Sequence, residues 1–267
     1  MLNFVIKSTL IVKNKIFCEL KEIRKNYDKR LNSQTSLYSK NNLNRQEGLA
    51  LLNKILLKEK LDLYSENIGM FSEHLIMFAA IACNKKNKID SILEIGTFDG
   101  ITSILLSKIF PNAEIITIDL NDNDPIFKKI YDRENDLKRK RFIEDRNLRL
   151  SKIKNIKFIQ INSLEITINS LQKDNFDLIW IDGAHGYPYV CSDITNAIRL
   201  SHPQTILMCD DVLKNLKNSD SMYCSIAAFE TLEEFYKAGI IETDYFSKRL
   251  SKKYLSSEKF ISLSKLK

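Results

Sequence analysis

From Phe71 onward, short and nearly continuous apolar runs alternate with stretches in which apolar residues return every three or four positions. That alternation is the pattern of parallel βαβ units. The apolar runs predict strands at Ser91–Ile95, Glu114–Asp119, Ile156–Ile161, Asp177–Asp182 and Gln204–Cys209. Runs without polar interruption suit strands covered by helices on both faces. The intervening stretches predict helices at Gly100–Phe110, Pro125–Leu150, Leu164–Lys173, Tyr187–Leu200 and Met222–Lys237. Two further runs, Glu242–Lys248 and Lys259–Ser264, are close enough to pair as an antiparallel hairpin. The expected fold class is therefore α/β: a doubly wound sheet of five parallel strands plus a C-terminal antiparallel hairpin, seven strands in all.

Residues 1–65 carry leucine and isoleucine at helical spacing, as in Leu49, Leu52, Ile55 and Leu56, with almost no strand signal. They are read as an N-terminal helical segment preceding a main domain over 66–267, and the polar Ser33–Asn44 stretch as a loop within it. The apolar start, Met1–Lys15, is interrupted by Lys7, Lys13 and Lys15 and lacks a small-residue cleavage pattern. No apolar run approaches the roughly 18 residues of a membrane span. A cytoplasmic protein is expected, with at most a weak peripheral attachment through its first helix.

Composition changes this picture little. Hydrophobic residues make up 44% and charged residues 28%, ordinary values for a folded domain. The net charge of +7 is spread along the chain without a clustered basic stripe, which argues against a nucleic-acid partner. Only Lys138-Arg139-Lys140-Arg141 forms a short basic run, read first as a solvated helix face and second as a reach toward the ligand or an anionic acceptor. The five cysteines, Cys18, Cys83, Cys191, Cys209 and Cys224, contain no C-x-x-C pair and read as reduced thiols. A homo-oligomer is left open.

Candidate chemistry begins at the turn after the first predicted strand. Open α/β sheets bind ligands beyond the carboxyl ends of their strands, where strand order reverses. Here that turn is Gly96-Thr97-Phe98-Asp99-Gly100. Phe98 stands where a dinucleotide fingerprint needs its second glycine, so a side chain would obstruct a pyrophosphate. Asp119, ending the second strand, is positioned to accept hydrogen bonds from ribose hydroxyls. Asn162-Ser163, ending the third, offers polar groups to a base.

The run Ile92–Leu106, ILEIGTFDGITSILL, resembles the first motif of class I S-adenosylmethionine-dependent methyltransferases, E-x-G-x-x-x-G, and Ile116–Leu120 resembles the acidic strand that follows it. The resemblance covers roughly residues 70–265 and implies a Rossmann-like fold. It also implies that Gly96, Thr97, Phe98 and Gly100 shape the cofactor's methionine pocket, that Glu94 supports the methionine end, that Asp119 holds the ribose, and that Asn162 and Ser163 meet the adenine. Many relatives carry Asp where Asn162 stands.

The fourth predicted strand runs into Asp182-Gly183-Ala184-His185 and the fifth into Asp210-Asp211. In the strand order 3-2-1-4-5 these strands are neighbours, so Asp182, Asp210 and Asp211 converge at one edge. Clustered carboxylates need raised pKa values or a cation. Oxygen-only ligands favour Mg²⁺ or a similar divalent ion, which would lower the pKa of an acceptor hydroxyl. His185 is the candidate general base, with Asp182 beside it as a second candidate catalytic group and also a candidate cofactor contact, while His74 and His202 receive no role. Tyr187 and Tyr189 are read as pocket walls or core packing, and Asp193 as facing outward or supporting the loop.

The segment Asp182–Ile194, DGAHGYPYVCSDI, resembles methyltransferase family 24, and the acidic pair resembles the metal-binding end of sugar and catechol O-methyltransferases. The resemblance implies methyl transfer to a hydroxyl of a small acceptor, a sugar or glycan intermediate before a catechol. The alternatives are a metal-independent O- or N-methyltransferase using His185, and a catalytically inactive scaffold that binds the cofactor.

Overall fold

The computed structural model describes residues 21, 24–68, 71–166, 168–216, 225–250 and 258–267. Met1–Lys15, the proposed site of peripheral attachment, lies outside the described residues, as do Cys18, Cys224 and the start of the Met222–Lys237 helix. A first helix, α1 (residues 24–40), leads into α2 (Arg45–Lys58) and α3 (Glu73–Cys83). There follow β1 (Ser91–Ile95), α4 (Ile101–Ile109), β2 (Glu114–Asp119), α5 (Pro125–Lys129), α6 (Asp136–Leu150), β3 (Ile156–Gln160) and α7 (Ile168–Leu171). The remainder is β4 (Phe176–Ile181), α8 (Tyr189–Arg199), β5 (Ser201–Leu213), α9 (Ala227–Lys237), β6 (Ile241–Ser247) and β7 (Lys259–Leu266).

The seven strands form one sheet in the order β3-β2-β1-β4-β5-β7-β6, as the doubly wound reading predicts. The first five are parallel, and β7 pairs antiparallel with both β5 and β6. Because side chains alternate across a strand, each central strand feeds two cores. Ile92, Leu178, Trp180 and Met208 pack on one face against α2, α3 and α4, while Leu93, Ile179, Ile181 and Leu207 pack on the other against α7, α8 and α9. Order reverses between β1 and β4, and in open α/β sheets it is beyond the carboxyl ends of such strands that ligands bind.

Ser33–Asn44 departs from the expected loop. Helix α1 continues to residue 40, and only the short link to Asn44 is non-helical. The polar residues are helix-compatible for two reasons. Thr35, Ser36 and Ser39 donate their hydroxyls to carbonyls four residues back. Gln34 and Tyr38 are buried, with Gln34 exchanging two hydrogen bonds with the Ser247 backbone and Tyr38 donating to Glu73 at 2.8 Å. Asn44 then caps α2 by accepting from the Gln46 and Glu47 amides.

Tyr38, Leu43, Leu52 and Leu56 share a core with Trp180, Phe246 and Ile261, so the N-terminal helices form part of the layer covering one sheet face. A buried pair fixes that layer, with Arg45 donating from Nε and Nη2 to the two carboxylate oxygens of Glu73 at 2.6 and 2.9 Å. Burial raises the Glu73 pKa against the lowering effect of Arg45. Glu73 N in turn donates to the Lys248 carbonyl, tying the start of α3 to the end of β6.

The predicted helix Pro125–Leu150 is two helices. Tyr131 and Asp132 adopt left-handed φ values of 54° and 58°, and Asn135 caps α6 by accepting from Leu137 N and Lys138 N. An Asn three residues past a left-handed pair is a helix-start signal that charge alternation concealed. Among the described residues, no helix is long and apolar enough to cross a membrane.

Candidate active site

The glycine turn requires its glycines for contacts made within the chain itself. Gly96 has φ +105°, and a Cβ there would lie 2.2 Å from the Asp182 carbonyl oxygen. The close approach that demands glycine is thus to the end of β4. Gly100, at φ +79°, begins α4, and a Cβ there would meet the Leu150 side chain at 2.9 Å. Gly96 N donates to the Ile118 carbonyl, and Asp182 N to that of Ile95, so the turn, β2 and the end of β4 are locked together.

Thr97 is turned inward. Its hydroxyl is buried 2.6 Å from that of Thr117. Thr117 and Ser103 both donate to Oε2 of Glu94, which is fully buried. The other oxygen, Oε1, is buried without a partner. Burial pushes the Glu94 carboxyl up to about 7, against the lowering effect of the Ser103 and Thr117 bonds. A buried carboxylate oxygen with nothing to bond normally costs on the order of 1–3 kcal/mol, so Glu94 is built to meet a donor from a ligand.

A pH dependence follows. The folded chain holds the Glu94 proton to about pH 7, whereas an ordinary glutamate releases it near 4.5. Between those values unfolding releases a proton, so stability falls as pH rises, by about 3 kcal/mol in total. Chemical denaturation of the ligand-free protein at several pH values should show this slope, and Glu94→Gln should flatten it. An unchanged slope in the variant would remove Glu94 as its source.

Asp119 ends β2 with both oxygens already oriented: Oδ2 accepts from Phe98 N and Oδ1 from Leu120 N, each at 2.8 Å. Burial raises its pKa despite these bonds. Each oxygen keeps a lone pair for a further donor. Asn162 caps the short turn Ser163–Glu165 by accepting from Leu164 N, so its Oδ1 already has one partner. The Ser163 carbonyl accepts from Asn196.

Two arginines here had no sequence signal. Arg133 is buried with its guanidinium 3.9 Å from the Phe127 ring centre and within 6 Å of Phe98, Tyr131 and Phe142. Arg146 is fully buried and pairs with Asp122 at 2.8 Å. The Phe98 ring, expected both to block a pyrophosphate and to shape the cofactor pocket, packs within this aromatic cluster against Tyr131 and Phe142. The basic run instead pairs mostly with local acids, Lys138 with Asp132, Arg139 with Asp136 and Lys140 with Glu144.

Strands β4 and β5 bring the acidic residues together as expected. The register Ile181↔Cys209 makes Asp182 and Asp210 the next pair in line. Strand β5 does not stop at Cys209 but runs to Leu213, so Asp210 and Asp211 lie within it. Pairing with β7 slips between Cys209↔Ser262 and Val212↔Phe260, placing an extra residue on β5. Asp211 takes the strain of this bulge at φ +52°, and the bulge re-aims its side chain.

What neutralises these acids is the part sequence reasoning missed. Lys248 donates through Nζ to Asp210 Oδ2 and Asp211 Oδ1, and Lys259 donates to Asp211 Oδ2 at 2.6 Å. Burial alone would lower the Lys248 pKa, but Asp210, Asp211 and Asp182 hold it above its ordinary value. Burial likewise would raise Asp211, yet Lys248, His185 and Lys259 hold it below the usual carboxylate range. Asp182 is bonded to neither lysine: burial and the Asp210 and Asp211 carboxylates push it well above that range, with Lys248 opposing. Among the described residues no group of three or more His, Cys, Asp or Glu side chains is arranged to hold a metal ion.

His185 stands at the rim of this cluster, its Nε2 3.6 Å from Asp211 and 3.9 Å from Asp182. Burial lowers its pKa, with Asp211 and Asp210 opposing. A neutral imidazole near neutral pH is the form a general base requires. Tyr187 is highly exposed and Tyr189 half-buried. Asp193 faces inward, fully buried under Gly183, which suits the reading that it supports the loop. His74 is stacked on Trp180, its pKa lowered by burial to about 4, and His202 pairs with Asp177. Cys83, Cys191 and Cys209 are free thiols.

Residues 93–212, from β1 to the end of the β5 acidic pair, match the family described as a methyltransferase domain. Two solved structures share the fold at low identity. Cofactor-bound Rv0187 from MTB is 18% identical, with a TM-score of 0.55 over 82% of this chain and 89% of that one. A Staphylococcus aureus protein provisionally described as a caffeoyl-CoA O-methyltransferase is 15% identical, with a TM-score of 0.52 over 82% of this chain and 92% of that one. No curated protein matches the sequence.

Proposed function

We propose, from the match of residues 93–212 to the methyltransferase domain family, that the protein transfers a methyl group from S-adenosylmethionine to a hydroxyl of a small acceptor. The single observation carrying this reading is the buried, half-satisfied carboxylate of Glu94 beside the Gly96 turn. Its unpartnered oxygen suits an ammonium such as that of the cofactor's methionine moiety, and Asp119 at the next strand end suits a ribose diol. The turn backbone, Gly96 to Gly100, would line the same moiety. When bound, the cofactor supplies an electrophilic methyl group on a sulfonium.

The chain's own residues then align the acceptor and remove a proton. His185 accepts the hydroxyl proton at Nε2, and the anionic Asp211 3.6 Å away stabilises the imidazolium that results. A divalent ion at Asp182, Asp210 and Asp211, expected from the carboxylates alone, does not fit the donor set, because Lys248 and Lys259 already bind three of the four oxygens of Asp210 and Asp211, both of those of Asp211 among them. The acceptor class, a sugar or glycan intermediate, rests on the likeness of the Asp182–Ile194 loop and the acidic pair to sugar O-methyltransferases.

Replacing the base tests the assignment. His185→Ala should lower kcat by about 10²–10⁴ with S-adenosylhomocysteine affinity unchanged, read from turnover on a panel of hydroxylated acceptors and from calorimetry. Undiminished kcat would remove His185 from the proton transfer.

A further inference from the structure

We infer that Lys248, seconded by Lys259, is a built-in counter-cation that stands where a divalent ion would otherwise sit, making this acidic site one that takes no metal. The inference rests on geometry alone and holds whether or not the methyl-transfer reading is correct.

Three features carry it. First, the two ammonium groups reach three of the four oxygens of Asp210 and Asp211, with Lys248 bridging the two residues as a shared cation would. Second, the lysines are nearly buried, with side-chain exposures of 11% and 10%, so neither is a surface charge that has swung inward. Third, the backbone fixes their placement. Ser247 pairs with Phe260, and Lys248 N donates to the Lys259 carbonyl, so the two lysines are the next cross-strand pair of the β6–β7 hairpin. Like charges directly opposite each other destabilise a hairpin. The arrangement makes sense only with the Asp210–Asp211 bulge facing it.

The anchoring is double. The Lys248 carbonyl accepts from Glu73 N at the start of α3, while α1 holds the neighbouring Ser247 backbone through Gln34. A metal could enter only by displacing an ammonium whose main chain is held from two sides. The ammonium provides one positive charge and up to three hydrogen-bond donors, but no open coordination position for an acceptor oxygen. An acceptor that chelates a metal through adjacent hydroxyls therefore gains nothing here, and proton removal falls to His185.

The test is a Mn²⁺ titration of the full chain, followed by electron paramagnetic resonance. Wild type should bind no Mn²⁺ at the site up to millimolar concentration. Lys248→Met, which keeps the chain length and removes the charge, should gain one site per chain, at least tenfold tighter than wild type, and Lys248→Met/Asp210→Asn should lose it. One Mn²⁺ bound by wild type and lost in Asp210→Asn would overturn the inference. So would a folded Lys248→Met protein that gains no site. Circular dichroism reports folding, with Lys248→Gln as the replacement if the Met variant is unfolded. If neither variant folds, the wild-type titration decides by the same criterion.

Discussion

Gly96→Ala should destabilise the protein by at least about 3 kcal/mol, the sum of a backbone conformation that L-residues avoid and an overpacked contact that cannot relax. The added Cβ would lie 2.2 Å from the Asp182 carbonyl oxygen and 2.6 Å from its carbon, both main-chain atoms. Neither can rotate away. Shifting Asp182 would break its hydrogen bond to the Ile95 carbonyl and move the start of the acidic loop. The expected result is a large drop in urea midpoint or an insoluble protein. Gly100→Ala meets only the end of the Leu150 side chain and should cost about 1–2 kcal/mol, mostly from φ. Gly186→Ala, with open space around it, should stay within about 0.5 kcal/mol of wild type. Equal losses at all three positions would contradict the close-approach argument.

Asp119→Ala should weaken S-adenosylhomocysteine binding by about 100-fold, since it removes hydrogen bonds to a charged group that are worth roughly 1.5–3 kcal/mol each. The carboxylate also holds Phe98 N and Leu120 N, so the turn loses two of its fixed points. Asp119→Asn keeps an acceptor and should fall between wild type and Ala. Calorimetric titration of both variants separates these outcomes. Wild-type affinity in Asp119→Ala would place the ribose elsewhere.

Much of the fold was legible because burial on both faces leaves an unambiguous trace. The strands Ser91–Ile95 and Glu114–Asp119 stand at their expected bounds, since each is a short, mostly apolar run, the first ended by the glycine turn and the second by Asp119. The convergence of Asp182 with Asp210 and Asp211 followed from strand order alone. Local chemistry misled where polar residues serve a buried face. The serines and threonine of α1 looked like a loop because the docking of Gln34 and Tyr38, which holds this helix in place, depends on the rest of the fold.

The lysines were missed for a related reason. Lys248 and Lys259 are 37 and 48 residues from Asp211 in sequence. In a chain with 41 Lys and Arg residues, nothing local marks these two as buried. A β-bulge and a hairpin register brought them to the acids, and neither is written in residue type. Arg133 and Arg146 were hidden in the same way, inside a charge-rich stretch that reads as solvated.

The central claim is that the crevice formed by Glu94, the Gly96 turn and Asp119 is a S-adenosylmethionine site. It is tested most directly by calorimetric titration of wild-type protein with S-adenosylhomocysteine and, separately, with NAD. One S-adenosylhomocysteine bound per chain, with no heat from NAD, is the predicted result. Absence of S-adenosylhomocysteine binding, or binding of NAD in its place, would contradict it.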